Sequence, residues 1–248
     1  MTNQNKVVNL PTATVAPITN VAMCSAAMTR AIERSGHLPG MVTLYGPSGW
    51  GKSTAAGYTA NKLHCYYVEC KSSWTRKALL IAILKEMGIQ PAKTLYEMTD
   101  QVSEQLVLSG RPLIIDEMDH IVDKKATEIV RDIYEGSHAA ILLVGEEQLP
   151  SKLKAWERFH GRMLEWIPAQ PASIDDASHL ARLYCGGVEI STDLLAKVHE
   201  LSHGSVRRIA VNLDMIRAEA GKAGWMGVDL ATWGTRAFYT GEAPKRRV

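Results

Sequence analysis

Gly46-Pro47-Ser48-Gly49-Trp50-Gly51-Lys52-Ser53 fits the pattern G-x-x-x-x-G-K-[ST] in full. The apolar run Met41-Val42-Thr43-Leu44-Tyr45 leads into it as a buried strand would. The alanine-rich Thr54-Ala55-Ala56-Gly57-Tyr58-Thr59-Ala60 leaves it as a helix. Strand, glycine-rich loop and helix in that order are the context this pattern needs in order to hold phosphate. Glycines let successive backbone N–H groups curl around a polyphosphate, and the helix start adds the positive end of its dipole. Lys52 is placed to reach the outer phosphates and the Ser53 hydroxyl to ligate Mg²⁺. The expected nucleotide contacts run from Gly46 to Thr54, with the bulky Trp50 side chain turned away from the phosphates.

The second half of such a site lies further along. Gly110-Arg111-Pro112 breaks the chain before the hydrophobic strand Leu113-Ile114-Ile115, which ends in Asp116-Glu117. A carboxylate at that strand end can join Ser53 in the Mg²⁺ shell, which is the expectation for Asp116. Glu117 can aim at the water that attacks the terminal phosphate, as general base or orienting group. Asp119-His120 echoes a helicase signature more weakly, and the second recombination-type core of such helicases is missing.

Around these motifs the chain alternates strand and helix patterns. Cys65 to Cys70 reads as a strand, and Leu79, Leu80, Ile83, Leu84 and Met87 share one face of a helix. Met98, Val102 and Leu106 mark a short amphipathic helix, and Ile121, Ala126, Ile129, Val130 and Ile133 one further helix. Ala139 to Val144 is a continuous apolar strand ending at Gly145-Glu146, and Met163 to Ile167 a last strand. Alternation of this kind implies a parallel sheet with ligands at the carboxyl ends of its strands. Before the first strand, Asn20 is the expected cap of a helix reaching Gly36.

From Ala172 helical stripes replace strands: Leu194, Leu195, Val198 and Leu201, then Val206, Ile209, Leu213 and Ile216. The expected organisation is a loose arm over residues 1–18, an α/β core over 19–171, a small helical lid over 172–240 and a basic tail over 241–248.

With 248 residues, 46% hydrophobic and 22% charged, the composition is that of an ordinary soluble protein with a sizeable core. No apolar run reaches membrane-span length and Met1 to Asn5 lacks a signal-peptide pattern, so a cytoplasmic location without membrane partners is expected. The four cysteines, Cys24, Cys65, Cys70 and Cys185, lack metal-ligand spacing and read as core thiols. A net charge of +2 neither requires nor excludes nucleic acid.

A phosphate loop, an Asp-Glu strand end, an arginine-bearing segment after the next strand and a Gly-x-x-Arg in a helical lid stand here in the order of the AAA+ ATPases. From about Asn20 to Ile216 the chain resembles that family. Its expected fold is therefore α/β, a P-loop NTPase AAA+ parallel β-sheet core with a small C-terminal helical lid. Within the family it looks most like the branch of Mu-type phage transposition protein B, the Tn7-type transposon regulators and the ExeA-type secretion ATPase. The stretches that carry this are Val68-Glu69-Cys70, the helix ending Met87-Gly88, Leu113 to Glu117, Leu143-Val144-Gly145 and His203-Gly204-Ser205-Val206-Arg207-Arg208.

The resemblance implies ATP with Mg²⁺ as cofactors. It places Lys52, Ser53, Asp116 and Glu117 on the phosphate, magnesium and water-activating positions. Arg207 falls on the lid arginine that touches the subunit's own nucleotide. Arg162 falls on the finger that reaches a neighbour's terminal phosphate, with Arg158, on the same face if the segment is helical, as its competitor. Where the family has a polar Asn or Thr sensing that phosphate, this chain has Glu146; slow, regulatory hydrolysis, or substitution by Gln148, would follow.

The resemblance further implies a homo-oligomer, a helical filament or ring, assembling with ATP on duplex DNA of a bacterial host to regulate a transposase. Lys71, Arg76, Lys77, Lys124 and Lys125 are the candidate contacts to the DNA backbone. An ExeA-type secretion ATPase and a replication initiator or helicase loader are the alternatives; the latter usually carries a dedicated DNA or helicase module.

Overall fold

The computed structural model describes residues 15–242; most of the expected arm, and Lys245, Arg246 and Arg247 of the expected tail, lie outside them. Two compact units are formed, one by residues 19–171 and one by 172–242 with 15–18.

The first unit runs α1 (Thr19–Glu33), β1 (Met41–Tyr45), α2 (Lys52–Lys62), β2 (Tyr66–Glu69), α3 (Arg76–Glu86), α4 (Leu95–Ser109) and β3 (Leu113–Asp116). It continues with α5 (Asp119–Asp123), α6 (Thr127–Ser137), β4 (Ile141–Gly145), α7 (Leu149–Lys154), α8 (Glu157–His160) and β5 (Met163–Pro168). Its five strands are all parallel, in the order β2-β3-β4-β1-β5. The strands β3 and β4 are buried along their whole length, as their unbroken apolar sequences require of strands covered by helices on both faces. Leu113, Ile115, Ile141 and Leu143 join Leu80, Ile83, Met98, Val130 and Ile133 in the core. Because every strand points the same way, Gly46, Cys70, Glu117 and Glu146 all follow strand ends at one edge of the sheet.

Several elements depart from the sequence expectation. Asn20 does not cap α1 but lies inside it, buried, and uses its amide across the fold. The helix around Met98 is not short: Thr94 and Glu97 close a reciprocal capping box, and α4 runs 15 residues to Gly110. The single helix expected through Ile121 and Ile133 is two, because Lys125 takes a left-handed φ of 54° between α5 and α6. That turn leaves Lys124 and Lys125 in solvent while Ile121 and Ile129 on either side stay in the core. The segment holding Arg158 and Arg162 is not one helix either; α8 ends at His160, so the two arginines do not share a helical face.

The second unit contains α9 (Ile174–Tyr184), β6 (Glu189–Ile190), α10 (Thr192–Ser202), α11 (Val206–Ala223), β7 (Gly227–Val228) and α12 (Leu230–Trp233). Of the expected helical stripes, Leu194, Leu195 and Val198 of α10 and Ile209, Leu213 and Ile216 of α11 are buried, while Leu201 and Val206, at the facing ends of the two helices, are half-buried. The parallel pair β6-β7 was not expected, because two-residue strands carry no periodicity to read. Asn212 of α11 accepts from Tyr239 N and donates to Tyr239 O, tying down the segment after α12.

Candidate nucleotide-binding site

The phosphate loop joins β1 to α2. Gly49 and Gly51 take φ of 82° and 83°, values an L side chain rarely tolerates, and these turn the loop around the start of α2. That helix start has no side-chain cap. Its first N–H groups are therefore directed to the loop interior, where an anion would be held. Lys52 Nζ donates to the carbonyls of Gly46 (2.8 Å) and Pro47 (2.9 Å), so the ammonium is held within the loop it would serve. Burial pulls the Lys52 pKa below its usual value, and the charges of Glu117, Asp116, Glu146 and Asp119 partly oppose this. Four carboxylates thus act on one lysine. Ser53 and Thr54 are exposed at the first turn of α2, and Trp50 is half-buried.

Asn20 supports the loop from outside. Its Nδ2 donates to the carbonyls of Trp50 and Gln170, both at 2.8 Å, and its Oδ1 accepts from Gln170 N at 2.8 Å. One buried amide therefore joins α1, the phosphate loop and the chain leaving β5. No sequence signal marks it, since an isolated Asn reads as a helix cap.

At the end of β3, Asp116 is 1% exposed and both of its oxygens are engaged. Oδ1 accepts from Glu117 N and Oδ2 from the Tyr67 hydroxyl, each at 2.8 Å. Tyr67 pairs in register with Ile114, two residues before Asp116, so it shares a face of the sheet with that carboxylate. Burial and the neighbouring Asp116 charge push the phenol pKa well above its usual value, which keeps it a donor. Glu117 stands in the left-handed region with φ 53°, a strained position for a non-glycine residue of the kind that collects at functional sites. Burial and Asp116 raise its carboxyl above the ordinary range, while His120 and Lys52 pull it back.

Asp119, given little weight in the sequence, is 4% exposed. Its Oδ2 accepts from Glu146 N at 2.6 Å, and its Oδ1 forms an ion pair with Lys152 Nζ at 3.0 Å, which also meets Asp123 at 2.9 Å. This joins the turn after β3 to the end of β4. Gly145 is required there, because a Cβ would collide with the Asp119 carboxylate and come within 2.6 Å of a Leu149 methyl. The Glu146 side chain is exposed at that strand end.

The donor set fits MgATP. Loop N–H groups and Lys52 would hold the phosphates, and the Ser53 hydroxyl with the Asp116 carboxylate would hold Mg²⁺, which supplies charge neutralisation on the phosphate oxygens. A hard cation that keeps several waters needs no denser protein cage. Among the described residues no group of three or more His, Cys, Asp and Glu side chains could hold a metal by itself.

Arg162 precedes β5, and its carbonyl accepts from Met41 N at the start of β1. It therefore sits at the opposite edge of the sheet from the phosphate loop, about 15 Å away along a five-residue strand. Its guanidinium pairs with Glu135. Arg207 is exposed in the first turn of α11 in the other unit. Lys71, Arg76, Lys77, Lys124 and Lys125 are all exposed, and the fold gathers them after β2 and β3. Arg76 donates to the Lys125 carbonyl at 3.4 Å, and Lys77 to that of Lys93 at 3.2 Å. Arg76 also lines a groove of about 680 Å³ with Asp100, Glu104, Glu128 and Asp132, the last two of which pair with Arg131. The cysteines are buried thiols, with Cys24 and Cys185 pushed up to about 11 and Cys65 and Cys70 to about 12 by burial. No described helix is long and apolar enough to cross a membrane.

Residues 34–153 match the family described as AAA domain, a span that contains Lys52, Asp116 and Glu117 and stops short of Arg158, Arg162 and Arg207. No curated protein matches the chain. Among solved structures, the Aeropyrum pernix ORC2 protein in its ADP form is similar with a TM-score of 0.65 and 16% identity, over 84% of this chain and 64% of that one. Cdc6p from Pyrobaculum aerophilum gives 0.64 and 14% over 88% and 66%, and the Aeropyrum pernix ORC1 protein in complex with DNA 0.60 and 17% over 84% and 61%. The chain thus spans less than two thirds of the length of each. At such identities the likeness is one of fold. With the parallel sheet ordered β2-β3-β4-β1-β5 and the glycine loop between β1 and α2, the chain carries the fold of a P-loop AAA+ nucleoside triphosphatase.

Proposed function

We propose that this chain is an ATP-hydrolysing switch that acts on duplex DNA, with Lys52, Ser53, Asp116 and Glu117 in the roles of phosphate clamp, metal ligands and water director. The observation that carries the reading is the common carboxyl edge of the sheet. It holds the phosphate loop and Asp116-Glu117 together with the exposed Lys71, Lys77, Lys124 and Lys125. ATP would join subunits, with Arg162 reaching a neighbour's nucleotide and Arg207 its own, so occupancy would set the oligomer and through it the affinity for DNA.

Within that class, the replication initiator or loader type is favoured by the likeness to archaeal Orc and Cdc6 proteins, one of them in complex with DNA. A transposase regulator is the second reading, favoured by stretches such as His203 to Arg208 alone. The test is anisotropy of labelled duplex DNA across salt, with and without a slowly hydrolysed ATP analogue. Binding that tightens with nucleotide, falls steeply with salt and ignores sequence is expected. Duplex affinity independent of nucleotide, or no binding at low salt under assembling conditions, would move the assignment to a protein-remodelling or secretion ATPase. Stimulation of a transposase, but of no helicase-loading reaction, would select the second reading.

A further inference from the structure

We propose that Tyr67 is a positioning residue for the divalent cation, its hydroxyl setting the orientation of the Asp116 carboxylate through which the metal would be held. The inference rests on the reading of Asp116 as a metal ligand.

A carboxylate has two oxygens and about four acceptor positions. In Asp116 one position on each oxygen is taken, by the Glu117 N–H on Oδ1 and the Tyr67 O–H on Oδ2. Two donors at 2.8 Å, one on each oxygen, stop rotation about the bond to the carboxyl carbon. The remaining lone pairs then keep a constant direction. The Glu117 contact is local and comes from the backbone turn. The Tyr67 contact comes from the neighbouring strand, 49 residues away, and is the one a side-chain substitution can remove.

The choice of a phenol has an electrostatic reason. Asp116, Glu117, Glu146 and Asp119 all act on Lys52. A cationic partner for Asp116 would compete with the metal for that carboxylate, whereas a neutral donor orients it and leaves its charge intact. Hydrogen-bond partners of metal-ligating carboxylates typically change metal affinity about 10- to 100-fold when removed.

Tyr67→Phe keeps the ring volume and deletes only the donor. The measurement is Mn²⁺ affinity, by electron paramagnetic resonance, of protein loaded with a slowly hydrolysed ATP analogue. In parallel, analogue affinity is measured in EDTA and the melting temperature recorded. The expected result is a Mn²⁺ affinity lowered about 10-fold, with the metal-free nucleotide affinity unchanged. In an Asp116→Ala background Tyr67→Phe adds nothing, because the hydroxyl acts only through that carboxylate. A purely structural role would instead lower metal-free nucleotide affinity and melting temperature together, and that outcome overturns the proposal. Unchanged Mn²⁺ affinity in Tyr67→Phe, while Asp116→Ala loses the metal, overturns it and leaves the Asp116 assignment standing. If Asp116→Ala is itself silent, both fall.

Discussion

Lys52 and Glu117 are each held where burial disfavours the charged form, lowering the Lys52 pKa and raising that of Glu117. Lys52 is half-buried and rests on two carbonyls of its own loop. Lys52→Ala should therefore leave the fold intact and abolish ATP binding, read as loss of heat in isothermal titration. Glu117 combines a left-handed backbone with a carboxyl whose pKa is raised above the usual 4.5 by burial and by Asp116. Its charged form is disfavoured in the folded state, so Glu117→Gln should keep nucleotide binding, lose hydrolysis and melt no lower than the wild type. The gain is small, because Glu117 is part exposed and solvent screens its charge. Its sign with pH follows: the gain is full above the folded-state pKa of Glu117, shrinks as pH falls, and vanishes below the unfolded-state pKa, where the carboxyl is neutral in both states. A gain that grows on acidification would contradict the assignment.

At the level of elements, the turn after β3 and the end of β4 behave as one piece because Asp119 binds the Glu146 amide and Lys152 together. The absence of a side chain at Gly145 is what lets them approach. Gly145→Ala should cost about 1–3 kcal/mol, the usual range for overpacking. This would appear as a melting temperature lower by roughly 2–4 °C per kcal/mol. Both hydrolysis and nucleotide affinity should fall, since Gly145 lies beside Tyr45 at the start of the phosphate loop and the displaced Asp119 and Glu146 act on Lys52, with hydrolysis falling further because the same turn carries Glu117. Equal losses of both would mean that the turn is only structural. Asn20 couples α1 and β5 to the loop in the same manner, and Asn20→Ala strands half-buried backbone partners at Trp50 and Gln170. A loss of about 1–3 kcal/mol in denaturant unfolding is expected.

For the whole molecule, the decisive feature is that Arg162 stands at the edge of the sheet away from the phosphate loop of its own chain. If it takes part in hydrolysis it must do so in a second copy, leaving Glu135 to do it. A mixture of Arg162→Ala and Glu117→Gln subunits should then recover turnover that neither variant has alone, because some interfaces combine an intact pocket with an intact finger. No recovery despite demonstrated co-assembly would transfer the role to Arg158. Charge reversal at Lys71 or Lys77 should weaken duplex binding on all sequences alike and reduce its salt dependence, with ATP binding in the absence of DNA near normal.

Contiguity explains which parts of this protein its sequence by itself determined. Lys52, Ser53 and the helix start beside them are neighbours along the chain, and so are Asp116 and Glu117. Strand, loop and helix propensities of a few residues are enough to position each group. Unbroken apolar runs at Leu113 and Ile141 likewise marked buried parallel strands, which the sheet contains. Tertiary structure alone decided which side chains support these groups. Tyr67 reaches Asp116 across 49 residues, Asn20 reaches Gln170 across 150, and Asp119 meets Glu146 across 27. Each depends on strand order and on register, such as Tyr67 opposite Ile114, and a hydrophobic pattern states that a strand is buried without stating its neighbour. The break between α5 and α6 was hidden for the same reason. A helical stripe through Ile121 and Ile133 is satisfied equally by one helix or by two that turn at Lys125 to face one core.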